Sequence, residues 1–232
     1  MILSDLEILD AFYLTKEQKE KLILFYNFVI EENKKFNLTA ITNEKDFIIK
    51  HFYDSLAISL YSSFFEHSKV CDLGPGAGFP SIPLAIKYPN VNFYLVETNK
   101  KKCQFIELIK EKLNLENIYV INKRFEELDC KYRHFFDYGI TRAVSELRII
   151  SELILPFIKV DGLFYAYKGV NYLEEVNKAQ TTLKVLNSKI IFEFKYTLPF
   201  INQDRFIIII KKNKEIDIKY PRSYSLILKK SL

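Results

Sequence analysis

Val70-Cys71-Asp72-Leu73-Gly74-Pro75-Gly76-Ala77-Gly78-Phe79 decides how this chain is read. An apolar run carrying an acid breaks into three alternating glycines, and a helical pattern follows at once. Glycine lacks Cβ, so such a loop can press its backbone against a ligand and adopt positive φ without strain. The helix behind it offers unpaired N–H groups and positive potential. Strand, glycine loop and helix in that order make a nucleotide-cofactor site. The spacing is G-x-G-x-G with Asp72 two residues ahead of the first glycine, whereas the dinucleotide fingerprint is G-x-G-x-x-G and is aimed at a pyrophosphate. An acid beside the loop would repel a pyrophosphate and suits a cationic group.

Working outward, the chain changes character near residue 67. Residues 1–66 read as an N-terminal helical extension. A helix is expected over residues 16–35, with Leu22, Tyr26, Val29 and Ile30 on one face. Thr15 is its N-cap, with Gln18 three residues on. A connector follows at residues 37–42, then a helix capped by Asn43 and a short one over residues 55–65. Residues 67–232 alternate strand-like and helical runs. Strands are expected at 70–73, 91–96, 118–121, 136–140 and 162–167, and helices at 79–88, 99–113, 124–129, 145–156 and 172–185. Two strands, 189–196 and 205–211, close the chain with no helix between them. Alternation implies a parallel sheet covered on both faces, and the last two strands imply an antiparallel hairpin. The acid-x-G-x-G-x-G loop resembles motif I of S-adenosylmethionine (SAM) methyltransferases. The whole pattern resembles their class I fold, an α/β Rossmann-like, seven-stranded, mostly parallel sheet. SAM has no phosphate; it carries a cationic sulfonium, an amino-acid tail and an adenosine.

Composition narrows the class. At 232 residues and 49% hydrophobic, the chain can bury a sizeable core. Its longest apolar runs, such as Phe206–Ile210, are too short to span a membrane. The first thirty residues show no signal-peptide pattern. Three cysteines, Cys71, Cys103 and Cys130, suggest reduced thiols in a cytoplasm. His51, His67 and His134 are scattered without metal-ligand spacing, so no metal site is expected. The basic excess lies at the end. Residues 211–232 hold Lys211, Lys212, Lys214, Lys219, Arg222, Lys229 and Lys230 against Glu215 and Asp217, which matches the +5 of the entire chain. Such a tail suits an acidic polymer, or is a solvated terminus.

The strand ends carry the candidate chemistry. Glu97 ends the second strand, where ligands bind in α/β sheets; it can accept both hydroxyls of a ribose or cap the next helix. Arg124-Phe125-Glu126-Glu127 follows the third. Phe125 can pack on an adenine whose edge Glu126 and backbone N–H groups read, or the segment is a helix start with acids in its first turn. Thr141-Arg142-Ala143 follows the fourth strand. No Asn/Asp-Pro-Pro-aromatic segment stands there, and no cysteine to attack a pyrimidine ring. Arg142 offers a planar fork for a carboxylate, a phosphate or the O6/N7 edge of guanine, or forms a structural salt bridge. Lys168-Gly169 ends the fifth strand behind two tyrosines, which can stack a base or simply fill the core.

These residues together resemble the 16S ribosomal RNA guanine-N7 methyltransferases of the glucose-inhibited division protein B type. The resemblance runs through Phe36-Asn37-Leu38-Thr39, Lys50-His51-Phe52-Tyr53-Asp54-Ser55, the glycine loop with Phe79-Pro80, Arg124–Glu127, Thr141-Arg142-Ala143, Tyr165–Gly169 and Tyr220-Pro221-Arg222. It implies that Gly74, Phe79, Phe125, Glu126 and Arg142 bind SAM; the loop itself adds Asp72, Gly76 and Gly78, and the second strand adds Glu97. It implies a monomeric cytoplasmic enzyme acting on 16S ribosomal RNA or the small subunit and releasing S-adenosylhomocysteine. Arg142 would position rather than act as a base. Asn37, His51, Lys168, Arg222, Lys229 and Lys230 would meet the RNA. One departure stands out: Ser225-Leu226-Ile227 replaces the family's Gly-x-Pro tail. A small-molecule SAM methyltransferase would share the loop without needing the basic tail. A NAD(P)-dependent oxidoreductase is disfavoured by the glycine spacing and the lack of a catalytic His arrangement, and an RNA-binding module without activity by the intact cofactor positions.

Overall fold

The computed structural model describes residues 1–232. Seven strands form one sheet in the order β3-β2-β1-β4-β5-β7-β6. They are β1 (Lys69–Leu73), β2 (Asn92–Val96), β3 (Ile118–Ile121), β4 (Phe136–Arg142), β5 (Ile158–Lys168), β6 (Ser188–Leu198) and β7 (Gln203–Lys212). The first five pair in parallel, and β7 lies antiparallel to both β5 and β6. The expected parallel sheet with a terminal hairpin is therefore present. The helices are α1 (Lys16–Asn33), α2 (Glu44–Phe47), α3 (Asp54–Leu56), α4 (Ser81–Lys87), α5 (Lys100–Leu113), α6 (Leu147–Ile154), α7 (Tyr172–Val185) and α8 (Tyr224–Lys229). A π-helical turn, Ile48–Tyr53, runs α2 into α3. No helix is long and apolar enough to cross a membrane.

Each face of the sheet carries its own core. Side chains alternate along a strand, so Tyr165 and Tyr167 of β5 face one core while Phe164 and Ala166 face the other. The N-terminal helices pack with α4 and α5 on the first face, and α6, α7 and the C-terminal segment pack on the second. The capping box on α1 forms as expected: the Thr15 hydroxyl accepts from Gln18 N at 3.2 Å and the Gln18 carboxamide accepts from Thr15 N at 3.0 Å. Gln18 also donates to the carbonyls of Ile86 and Lys87 at 3.0 and 3.1 Å, satisfying the last turn of α4. One side chain thus caps two helices and docks the extension on the sheet. The buried face of α1 is Leu22, Phe25, Phe28 and Val29, while Tyr26 and Ile30 are only half-buried, so the apolar stripe is rotated from the expected one. Two further elements carry no clear sequence signal: the 3-10 helix Leu3–Phe12 and α8.

Candidate active site

β1 is the switch point of the sheet, because the chain builds β2 and β3 on one side of it and β4 and β5 on the other. A crevice opens at the carboxyl ends of strands so arranged. The glycine loop fills the start of that crevice. Gly74, Gly76 and Gly78 all have positive φ, at 69°, 60° and 91°. A Cβ on Gly78 would stand 2.5 Å from Ile82 Cγ1, so this position excludes any other residue twice over.

Two acids support the loop. Glu97 is buried; its Oε2 accepts from Gly76 N at 3.2 Å and its Oε1 from Asn99 N at 2.8 Å. It therefore ties the loop to the start of α5, and the carboxylate retains acceptor capacity beyond these two bonds. Asp72 is fully buried, with Oδ2 accepting from the Ser81 hydroxyl at 2.6 Å and Oδ1 without any partner. Burial pushes its carboxyl up to about 8, against the opposing pull of Ser81 and Arg142. An orphaned carboxyl oxygen beside a glycine cradle is what a ligand with a cationic amino group would satisfy.

Two cavities adjoin here. One, of about 370 Å³, lies among Gly74, Glu97, Arg124, Phe125, Glu126 and Tyr224. The other, of about 560 Å³, lies among His51, Asp54, Arg142, Tyr167, Lys168 and Glu175. They share the wall Ala143–Val144, directly after β4. Ala143 sits at φ 56° and Val144 packs so closely over Gly74 that a Cβ there would lie 3.1 Å from its Cγ2. The first cavity mixes apolar walls with the acids Glu97 and Glu126 and the cations Lys123 and Arg124, a lining that suits a nucleoside; the second is lined by charge.

The side-chain partners show what several of the expected site residues already hold. Arg142 is not free to reach a ligand with its whole fork. Its Nη1 donates to Asp54 Oδ2 at 2.9 Å, to the Lys50 carbonyl at 3.2 Å and to the Ser55 hydroxyl at 3.3 Å, and its Nη2 donates to His51 Nδ1 at 3.2 Å. It clamps the end of β4 to the turn between α2 and α3. Asp54 is held on its other side by the Tyr196 hydroxyl at 2.6 Å. The Tyr167 hydroxyl donates to the Ser55 carbonyl at 2.8 Å, so three strands grip this turn. His51 is stacked on Phe79 at 4.3 Å and 8° between planes. Burial, aided by Arg142, lowers it to about 3, so it is neutral at pH 7 and is no phosphate-binding cation. Because Nδ1 accepts from Arg142, Nε2 carries the proton and donates to Thr39 Oγ1 at 2.9 Å.

Phe79 lines neither cavity: its ring lies in the core between His51 and Phe25. Phe125 borders the first cavity, but its ring is buried edge-on against Phe157 at 5.4 Å, so it offers no open face. Glu126 is half-buried at the same cavity. Lys168 donates to Glu175 at 2.6 Å and to the Ser145 carbonyl at 2.7 Å, and its side chain is buried. Arg222 makes three hydrogen bonds to Glu152, of 3.2, 2.6 and 2.7 Å, through its backbone N, Nε and Nη2. Asn37 is exposed and lines neither cavity. Lys229, at the end of α8, and Lys230 after it are exposed. Sequence reasoning missed Glu175, Arg205 and Tyr224, which border the cavities. None sits in a strand-end motif; an acid in the first turn of the helix after Lys168-Gly169 is the one signal that could have flagged Glu175.

With this geometry in place, relatives of the chain can be set beside it. Residues 18–218 match the family model GidB, described as rRNA small subunit methyltransferase G. The chain belongs to this family. A ribosomal RNA small subunit methyltransferase G from Fusobacterium nucleatum is 41% identical over 217 residues, covering 94% of this chain and 93% of the relative. Another, from Ligilactobacillus salivarius, is 39% identical over 214 residues, covering 90% and 89%. Among solved structures, M. jannaschii TYW2 in complex with AdoMet superposes at a TM-score of 0.58 with 16% identity, over 76% of this chain and 80% of that one. A SAM-dependent O-methyltransferase from Thermotoga maritima gives 0.54 and 16%, over 82% and 72%. These two share the fold. The family match ends within the C-terminal segment: residues 219–232, with all of α8, lie beyond it.

Proposed function

We propose that this chain transfers the methyl group of SAM to N7 of a guanine in a decoding-region loop of 16S ribosomal RNA. It acts as a cytoplasmic monomer, with residues 1–66 shaping the acceptor side and residues 67–232 carrying the cofactor. Membership of the small-subunit rRNA methyltransferase family supports the reaction and the RNA. The observation that supports the choice of atom is how far the base-like groups around the second cavity are already engaged. Both ring nitrogens of His51, both oxygens of Asp54 and one oxygen of Glu175 are in hydrogen bonds, the last to Lys168 and Leu147 N. A reaction that removes a proton needs a base free to take it. Guanine N7 presents an in-plane lone pair and no proton, so a site whose bases are mostly engaged suits it.

When bound, SAM supplies an electrophilic methyl on its sulfonium. The chain supplies position. The glycine loop gives backbone surface, Glu97 has lone pairs for ribose hydroxyls, and Asp72, with one oxygen unpartnered, lies buried behind the loop and borders neither cavity. The Ala143–Val144 wall keeps cofactor and acceptor cavities side by side. Holding two reactants in line is worth up to ~7–11 kcal/mol of barrier. Arg142 fixes the floor of the acceptor cavity through Asp54 and the backbone of Lys50. Transfer leaves the guanine ring cationic, so a guanidinium occupied by Asp54 is better placed than one aimed at N7. Target RNA carrying 7-deazaguanosine tests the atom. It should bind as ordinary RNA does and accept no methyl; methylation of it would exclude N7.

A further inference from the structure

A basic C-terminal stretch invites the reading of a frayed tail, yet α8 is built into the fold. Arg222 anchors its start to Glu152 of α6, a residue 1% exposed, and Ile227 is buried beneath it. The neighbouring Leu153 of α6 and Tyr224, the first residue of α8, both border the 370 Å³ cavity. Phe125 cannot offer a ring face there, because its ring is packed against Phe157. Tyr224 is half-buried, and its ring is the other aromatic in that lining.

We propose that Tyr224 is a cofactor-binding residue that stacks on the flat purine of SAM, so that the C-terminal helix forms one wall of the cofactor site. This rests on the SAM reading above. Tyr224 lies outside the stretch matched by the family model, and the contact gives the Arg222–Glu152 pair a purpose: setting the place of Tyr224 rather than binding RNA.

The test uses the intact chain and S-adenosylhomocysteine as probe. By calorimetry, Tyr224→Ala should weaken binding about tenfold or more, in line with loss of one base–aromatic stack. Tyr224→Phe should bind within about twofold of the parent. The chain contains no tryptophan, so Tyr224→Trp creates a single indole emitter at the proposed contact. Its fluorescence should change saturably with added ligand, at the affinity calorimetry gives. Unchanged emission from the Tyr224→Trp variant while calorimetry registers binding would overturn the proposal and leave the SAM reading standing. Equal or tighter binding by a folded Tyr224→Ala would do the same. A parent chain that takes up neither SAM nor S-adenosylhomocysteine would overturn both.

Discussion

Replacing Arg142 by methionine removes a buried cation and leaves its acid behind. Arg142 and Asp54 have side chains 12% and 9% exposed, so solvent screens the pair little. Breaking one partner of such a pair costs about 3–5 kcal/mol, chiefly because the remaining charge is desolvated and unpaired. Asp54 keeps the hydrogen bond from Tyr196, and Arg205 Nε stands 3.8 Å away. Those two contacts place the loss near the lower end, about 3 kcal/mol. The carbonyl of Lys50 and the hydroxyl of Ser55 lose a donor in the same step. Urea unfolding followed by far-ultraviolet circular dichroism should show a lower midpoint at unchanged slope. Adding Asp54→Asn keeps an acceptor for Tyr196 while discarding the charge, and should restore at least about 1 kcal/mol of what Arg142→Met loses. Methyl transfer should fall with the turn's placement, by about 2–4 kcal/mol in transition-state stabilisation, the range of one lost oriented donor. An Arg142→Met chain within about 1 kcal/mol of the parent, with no coupling to Asp54, would refute the clamp.

Other outcomes follow from the same geometry. Gly78→Ala should cost about 1–3 kcal/mol through its φ of 91°, with added crowding against Ile82, and abolish SAM uptake; Gly169→Ala, which meets nothing within 4 Å, should stay within about 0.5 kcal/mol in a thermal melt. Burial holds the Asp72 carboxyl at about 8 against an ordinary 3.8, so the folded chain keeps a proton the unfolded chain has lost. Its contribution is full below the ordinary value and is lost as pH rises through about 8. Asp72→Asn should therefore flatten the decline in urea midpoint of the ligand-free chain between about pH 5 and 8.5, and weaken SAM binding. Replacing Lys229 and Lys230 by alanine should reduce the salt dependence of RNA binding by up to about two phosphate contacts, measured as the slope of log affinity against log salt.

The fold was largely legible because its signals are local. Apolar strand runs alternate with helical runs from Lys69 onward, and a capping residue acts within a few positions of itself, as Thr15 and Asn99 do. Leu3–Phe12 and α8 escaped because neither carries a clear period, and each is held by packing that only the folded chain supplies. The glycine loop and Glu97 were legible for the same local reason: strand end, turn and helix start are contiguous. What a charged side chain does was not. Arg142 meets Asp54 across 88 positions and Arg222 meets Glu152 across 70. A sequence displays the charge and hides the partner, so nothing in it foretold that Arg142, Lys168 and Arg222 pair with Asp54, Glu175 and Glu152. Phe79 and Phe125 show the other side of this: their places beside the loops were legible, but the core contacts of their rings were not.

The most direct measurement is mass mapping of nucleosides in small-subunit ribosomal RNA from cells lacking this gene, after incubation with the purified chain and SAM. The account predicts one new 7-methylguanosine in a decoding-region loop, formed with S-adenosylhomocysteine in equal amount. A methyl group on any other atom, or RNA left unmodified while SAM is bound, would contradict it.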